Sequence, residues 1–252
     1  MKIVDSVIGF NELDLFDIRY NELKNVVDKF VILEATHTHS GKPKPLYFGD
    51  ADLPDNVKVY QWDNGETFAP LLPEYAWHRE HTMREVLRHI LLENYSGNDV
   101  VLVSDMDEIP RSTEVSWFCM VGSSGIWRFD QVLSYLYLNT TAGNWHGTRI
   151  FHMRDMPQTM KEVRYDNTPD NVIVNGGWHF SSIGNTERIN LKLRSYAHAP
   201  ELDHIDRASI QDSIDNLTDP FNKQALTLVD CNFLPKYVLE NIDYYKSAGY
   251  IK

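Results

Sequence analysis

The sequence predicts an α/β protein built on a mostly parallel sheet with helices on both faces. Three observations carry that prediction. Apolar strand-like runs alternate with helical spacing through the first 111 residues, the pattern of βαβ units. Residues 100–103, VVLV, form an unbroken apolar run, which suits a strand covered on both faces. Ser104, Asp105, Asp107 and Glu108 then crowd onto the end of that strand, the edge of an open α/β sheet where ligands bind.

Taken in order, residues 2–8 read as a first strand. Asn11, with Asp14 three residues on, is the expected N-cap of a helix whose one face carries Phe16, Tyr20, Leu23 and Val27. A second strand, 30–33, ends in Glu34 and completes a right-handed βαβ unit. Residues 35–56 are a loop, long for a compact domain, and its GKPKP run at 41–45 offers Lys42 and Lys44 to a phosphate. Its Asp50–Asp52 triplet lies among Gly, Pro and Asn with no strand before it, so a solvated loop is expected there. After a strand at 57–61 and turn signals at 63–73, a helix is expected from about 74 to 95. Met83, Val86, Leu87, Ile90 and Leu91 form its apolar face and Arg79, Arg84 and Arg88 its polar one. The first half therefore reads βαββαβ, a nucleotide-binding arrangement without a glycine-rich phosphate loop. Phosphates must then be held by a metal and basic side chains.

In the second half a short helix is expected to Val121, then a long strand or bent pair over 126–138, and another strand at 147–153. The polar stretch 155–174 gives no clear element. In NGGWHFSSIG, 175–184, Trp178 and His179 follow a glycine pair where the backbone can approach a ligand. Residues 186–196 suit a helix delivering Tyr196 and His198, 206–217 suit another, and 234–246 have helical spacing.

Composition narrows the function. A net charge of −12 argues against a nucleic-acid binder and means that an anionic substrate needs a cation or a local basic cluster. Cys119 and Cys231 are too few for a disulfide framework or a thiolate zinc site and fit a reducing compartment. Asp5, Glu12, Asp14 and Asp17 stand where a signal peptide would be basic and then apolar, and no run is long enough to span a membrane. Asp105, Asp107 and Glu108 repel one another unless a cation or donors lie between them, and hard divalent cations take carboxylate oxygens. A helix starting at Ile109-Pro110 would accommodate the same acids at its positive end without a metal. The residues alone leave both readings open.

Six segments together go further: FNELDLFDIRYNEL (10–23), SGKPKPLYF (40–48), Arg79-Glu80 with Arg84, VLVSDMDEIPR (101–111), GGWHFS (176–181) and LRSYAH (193–198). In this order the chain resembles glycosyltransferase family 17, whose best-known members are the bisecting β-1,4-mannosyl-glycoprotein N-acetylglucosaminyltransferases. The resemblance implies a single GT-A type domain over 1–252, with a Rossmann-like central sheet. Its nucleotide-sugar-binding half would be 1–111 and its acceptor-binding and catalytic half 112–252. It implies a UDP-sugar donor, expected to be UDP-N-acetylglucosamine, a glycan acceptor, inversion, and Mn²⁺ or Mg²⁺ held by Asp105, Asp107 and His198. Phe10, Asn11, Glu12, Glu34, Lys42, Lys44, Arg79, Arg84 and Trp178 are the expected substrate-binding residues. His179 and Glu201 compete as general base. Ala199 and Pro200 before Glu201 depart from the family, whose late histidine runs straight into acidic residues. Animal members carry a membrane anchor and stem; their absence here points to a cytoplasmic bacterial or viral enzyme whose acceptor need not be an N-glycan. Two other readings stand beside it: a metal-dependent hydrolase or nucleotidyltransferase using the same carboxylates, and a carbohydrate-binding protein without catalysis, whose 6 Trp and 13 Tyr would stack on sugars but against which the intact acidic motif speaks.

Overall fold

A computed structural model describes residues 1–65, 73–165 and 171–252; most of the turn at 63–73 and part of the stretch 155–174 fall outside them. The first half runs β1 (Ile3–Gly9), α1 (Leu13–Leu23), β2 (Lys29–Ala35), β3 (Val57–Trp62), α2 (Ala76–Asn94) and β4 (Val100–Asp105). Then come β5 (Glu108–Pro110), α3 (Ser112–Val121), β6 (Trp127–Leu136), β7 (Thr140–Thr141), β8 (Asn144–His152), α4 (Met160–Tyr165) and β9 (Val172–Ile183). The chain closes with α5 (Thr186–Leu193), α6 (Arg207–Asn216), β10 (Thr227–Leu228), α7 (Lys236–Glu240) and α8 (Ile242–Ser247).

Eight strands form one sheet in the order β3-β2-β1-β4-β8-β6-β9-β5, and β7 pairs with β10 apart from it. Strands β1 to β4 are mutually parallel, as are β6 and β9. Strand β8 enters antiparallel between β4 and β6, and β5 lies antiparallel on β9. Residues on either side of position 111 thus share one sheet.

Alternation along β2 and β4 divides the core on either side of them into two layers, and a third cluster forms between the end of β6 and α5 and α6. Phe30 and Ile32 of β2 with Val100 and Leu102 of β4 pack on the face that holds α1 and α3. Val31 and Leu33 with Val101 and Val103 pack on the other face, against Met83, Leu87 and Leu91 of α2. That two-sided burial is why the runs at 30–33 and 100–103 are apolar throughout.

The structure corrects several sequence expectations. Glu12, not Asn11, is the residue before α1, and it makes no side-chain cap. Ile109 and Pro110 start no helix: with Glu108 they form β5, an edge strand where a residue without an N–H is tolerated. The glycine-rich segment 175–184 lies almost wholly inside the twelve-residue strand β9. Gly177, at φ 129°, is needed there, since a Cβ would sit 2.3 Å from the Ile109 carbonyl. Arg79 is buried rather than on a polar face, because the loop after β2 covers that turn of α2 and its His39 carbonyl accepts the Arg79 Nε at 2.6 Å. The helical spacing at 234–246 resolves into α7 and α8, divided at Asn241.

Arg19 of α1 has no exposed surface. Its Nε donates to Asp5 Oδ2 at 2.6 Å, its Nη2 to Ser104 Oγ at 2.6 Å, and its Nη1 to the carbonyls of Glu108 at 2.7 Å and Asp105 at 3.2 Å. One guanidinium thereby ties α1 to β1 and closes the turn between β4 and β5. Arg19→Met should cost roughly 3–5 kcal/mol, because Asp5 is left buried without its cation. Urea unfolding checks this, and adding Asp5→Leu to the Arg19→Met background should recover part of the loss.

Candidate active site

Strand β1 lies between β2 and β4, so the chain leaves it to one side for β2 and β3 and returns on the other for β4. A crevice opens beyond the carboxyl ends of strands at such a switch point. A cleft of about 710 Å³ occupies this place, lined by Gly9 and Phe10 after β1, Ala35 to His39 after β2 in part, and Asp105 to Asp107 after β4. The second half supplies the facing wall, including Trp145, Arg164, His179 and Lys192.

The two aspartates of the β4–β5 turn face different partners. Asp105, its side chain 38% exposed, accepts from Arg84 Nη2 at 2.8 Å and from Arg164 Nη2 at 2.9 Å. Burial pushes its carboxyl up, and the Arg164 and Arg84 guanidiniums outweigh that and hold it well below the usual carboxylate range. Arg164 Nη1 also donates to the buried Glu108 at 2.7 Å.

Asp107, only 6% exposed, accepts from Lys192 Nζ at 2.5 Å and stands 3.4 Å from His179 Nε2. Burial again opposes its charge, and Lys192 and His179 overcome it, so this carboxyl too is held low. Lys192 reaches on to Glu12 at 3.0 Å. Burial alone would lower the Lys192 ammonium, yet Asp107 and Glu12 drive it well above its ordinary value. His179 is raised for the same reason, Asp107 outweighing burial. Glu12 is the exception: burial raises its carboxyl even beside Lys192.

The family model of glycosyltransferase family 17 matches residues 1–224. The chain belongs to glycosyltransferase family 17. The β-1,4-mannosyl-glycoprotein 4-β-N-acetylglucosaminyltransferases of Homo sapiens, Rattus norvegicus and Mus musculus are each 28% identical to it over 116 residues, 43% of this chain and 22% of theirs. The match therefore spans less than a quarter of those relatives. Among solved structures, the 4-diphosphocytidyl-2C-methyl-D-erythritol synthase of Anaerococcus prevotii aligns at 11% identity with a TM-score of 0.38, covering 79% of this chain and 96% of that one.

The residues that suggested the family from sequence are distributed unevenly around the cleft. Phe10, Glu12, Lys44, Arg84, Asp105, Asp107, His179 and His198 line it. Asn11 borders a small adjoining pocket instead. Glu34 is buried, and its carboxylate accepts from the backbone of Tyr47, Phe48 and Gly49 and from Lys44, so it organises the loop that follows β2. Lys42 is exposed outside the cleft lining, and Arg79 is buried behind it. Trp178 points to the opposite face of β9 from His179, is buried in the core, and donates its Nε1 to the Phe233 carbonyl at 2.9 Å. His198 Nδ1 pairs with Glu201 at 2.5 Å, and the same carboxylate accepts from Trp77 Nε1 at 3.2 Å. His198 and Glu201 are thus one unit at the cleft wall, and Glu201 itself does not line the cleft.

Sequence reasoning missed Arg164, Lys192, Trp145 and His39. Arg164 lies in the stretch that gave no element, and Lys192 sits one residue before the family-like LRSYAH segment. His39 lines the cleft, and burial pushes it down to about 4, so it is neutral at physiological pH.

Among the described residues no three His, Cys, Asp or Glu side chains gather into a metal-binding group. Asp105 and Asp107 nevertheless offer hard oxygen donors at the switch point. Magnesium-like cations commonly bind through one or two carboxylates and complete their shell with substrate phosphates and water. The donor chemistry fits a cation of that kind. No helix among the described residues is long and apolar enough to cross a membrane.

Asp107, held low by Lys192, contributes stability that is fully present above the ordinary carboxylate value of ~4 and is lost as pH falls through its lower folded value. Lys192→Met should therefore cost roughly 3 kcal/mol at neutral pH, with a deficit that narrows towards acid as Asp107 and Glu12 take up protons. Urea unfolding of both proteins at neutral and acidic pH measures it. A deficit independent of pH would place the effect outside this ion-pair cluster.

Proposed function

We propose that this chain is an inverting, divalent-cation-dependent glycosyltransferase of GT-A type that moves N-acetylglucosamine from UDP-N-acetylglucosamine to a hydroxyl of a glycan acceptor. The observation that carries the reading is the turn after β4, where Asp105 and Asp107 stand at the switch-point cleft, each matched by cationic side chains. Membership of family 17 supports the reaction class, and the names of the mammalian relatives suggest the donor.

Asp105 and Asp107 would hold the cation, which when bound neutralises the charge that develops on the departing diphosphate. Arg84 and Arg164, already preorganised on Asp105, can turn one face each towards the same phosphates. His179 is the better base of the two candidates. Its Nε2 faces Asp107, its buried Nδ1 has no hydrogen-bond partner, and the ring lines the cleft. Glu201 is instead committed to His198 and Trp77. In a single displacement the acceptor oxygen bonds to the anomeric carbon, its proton passes to His179, and the bond to UDP breaks.

Two variants separate these roles. Asp105→Asn should weaken UDP binding in the presence of Mn²⁺ in isothermal titration, since one of the two carboxylates assigned to the cation loses its charge. His179→Ala should leave that affinity intact and lower kcat about 10²- to 10⁴-fold. Unchanged UDP affinity in the first variant would sink the cation assignment. Donor consumption that ignores added acceptor would favour a hydrolase over a transferase.

A further inference from the structure

Among the described residues, Trp145 and Tyr165 are the exposed large hydrophobic side chains that line the cleft. Trp145 is 44% exposed on the cleft wall. It is also fixed. Its Nε1 donates at 2.8 Å to Glu108 Oε1, a carboxylate with no exposed surface, and Glu108 is held in turn by Arg164. Tyr165, the residue after Arg164, stands 53% exposed. The buried ion pair of Glu108 and Arg164 therefore sets the indole, and the His179 ring lies 5.5 Å from it.

We infer that Trp145 is a stacking platform for a pyranose ring of the acceptor glycan, with Tyr165 elsewhere on the lining of the same cleft. This rests on the transferase reading above. An indole held rigid by a buried carboxylate loses little side-chain entropy on binding, and its face matches the apolar C–H face of a neutral sugar. Topology decides between donor and acceptor. Trp145 extends from β8, which lies on the far side of β4 from β1 and β2, whose ends bound the nucleotide side of the crevice. Beside His179, the platform places an acceptor hydroxyl near the base.

The test uses the full chain with N,N′-diacetylchitobiose and α-mannotriose as probes, followed by saturation-transfer NMR, and with UDP and Mn²⁺ followed by calorimetry. Trp145→Ala should weaken binding of at least one sugar roughly 10-fold or more, as loss of an aromatic anchor does, with UDP affinity unchanged. Trp145→Phe retains a ring but loses the Nε1 bond to Glu108, so its sugar affinity should fall between those of the wild type and Trp145→Ala. Wild-type sugar affinity in Trp145→Phe would overturn the role of the anchored indole even where the alanine variant unfolds. Sugar binding by Trp145→Ala at wild-type strength would overturn the platform, as would a parallel loss of UDP affinity or the failure of both sugars to bind the wild type. Sugar binding through Trp145 in a protein that binds no UDP would uphold the platform and overturn the transferase reading.

Discussion

The Arg19 guanidinium is the donor on which the candidate site is built. It meets the Asp5 carboxylate, the Ser104 hydroxyl and the carbonyls of Asp105 and Glu108 in a place without solvent. A turn that doubles back from β4 into β5 leaves carbonyls that no strand can satisfy, and a buried carbonyl without a donor is expensive. Arg19 supplies those donors, while Asp5 neutralises it from β1. The result is a rigid turn whose two aspartates reach different neighbours, Asp105 towards α2 and α4 and Asp107 towards α5 and β9.

Around that turn the protein places carboxylates and cations in alternation. Arg84, Asp105, Arg164 and Glu108 form one run, and His179, Asp107, Lys192 and Glu12 form another. In a chain of net charge −12 an anion is repelled at long range, so local cations must be fixed where the anion arrives. Pairing each cation with a carboxylate keeps it charged despite burial and preorganises it, at the cost of competing with any incoming metal for the same oxygens. The donor and cation proposed above would together add little net charge, which suits such a balanced cluster.

The sheet explains how distant segments meet there. Strand β8 brings Trp145 beside the turn, β9 brings His179, and β5 is pinned to β9 because Gly177 permits the close approach. Trp178 and His179 are neighbours in sequence but lie on opposite faces of β9, so only the histidine reaches the cleft.

Much of this was legible in the sequence because it is local. The apolar runs at 30–33 and 100–103, the helical spacing in α1 and α2, and the acidic cluster at the end of β4 all follow from residues near one another in the chain. What the sequence could not disclose depends on contacts across long separations. Asn11 gives way to Glu12 at the start of α1, Ile109 and Pro110 join a strand because β9 lies beside them, and Arg79 is buried because a loop from β2 covers it. Arg164 and Lys192 have no local signature, since a cation's role is set by the carboxylate it faces, here 59 and 85 residues away in the chain. Local patterning thus determined the strands, the helices and the acidic edge, and tertiary packing alone decided which charges meet, because ion pairs and strand faces are properties of neighbours in space.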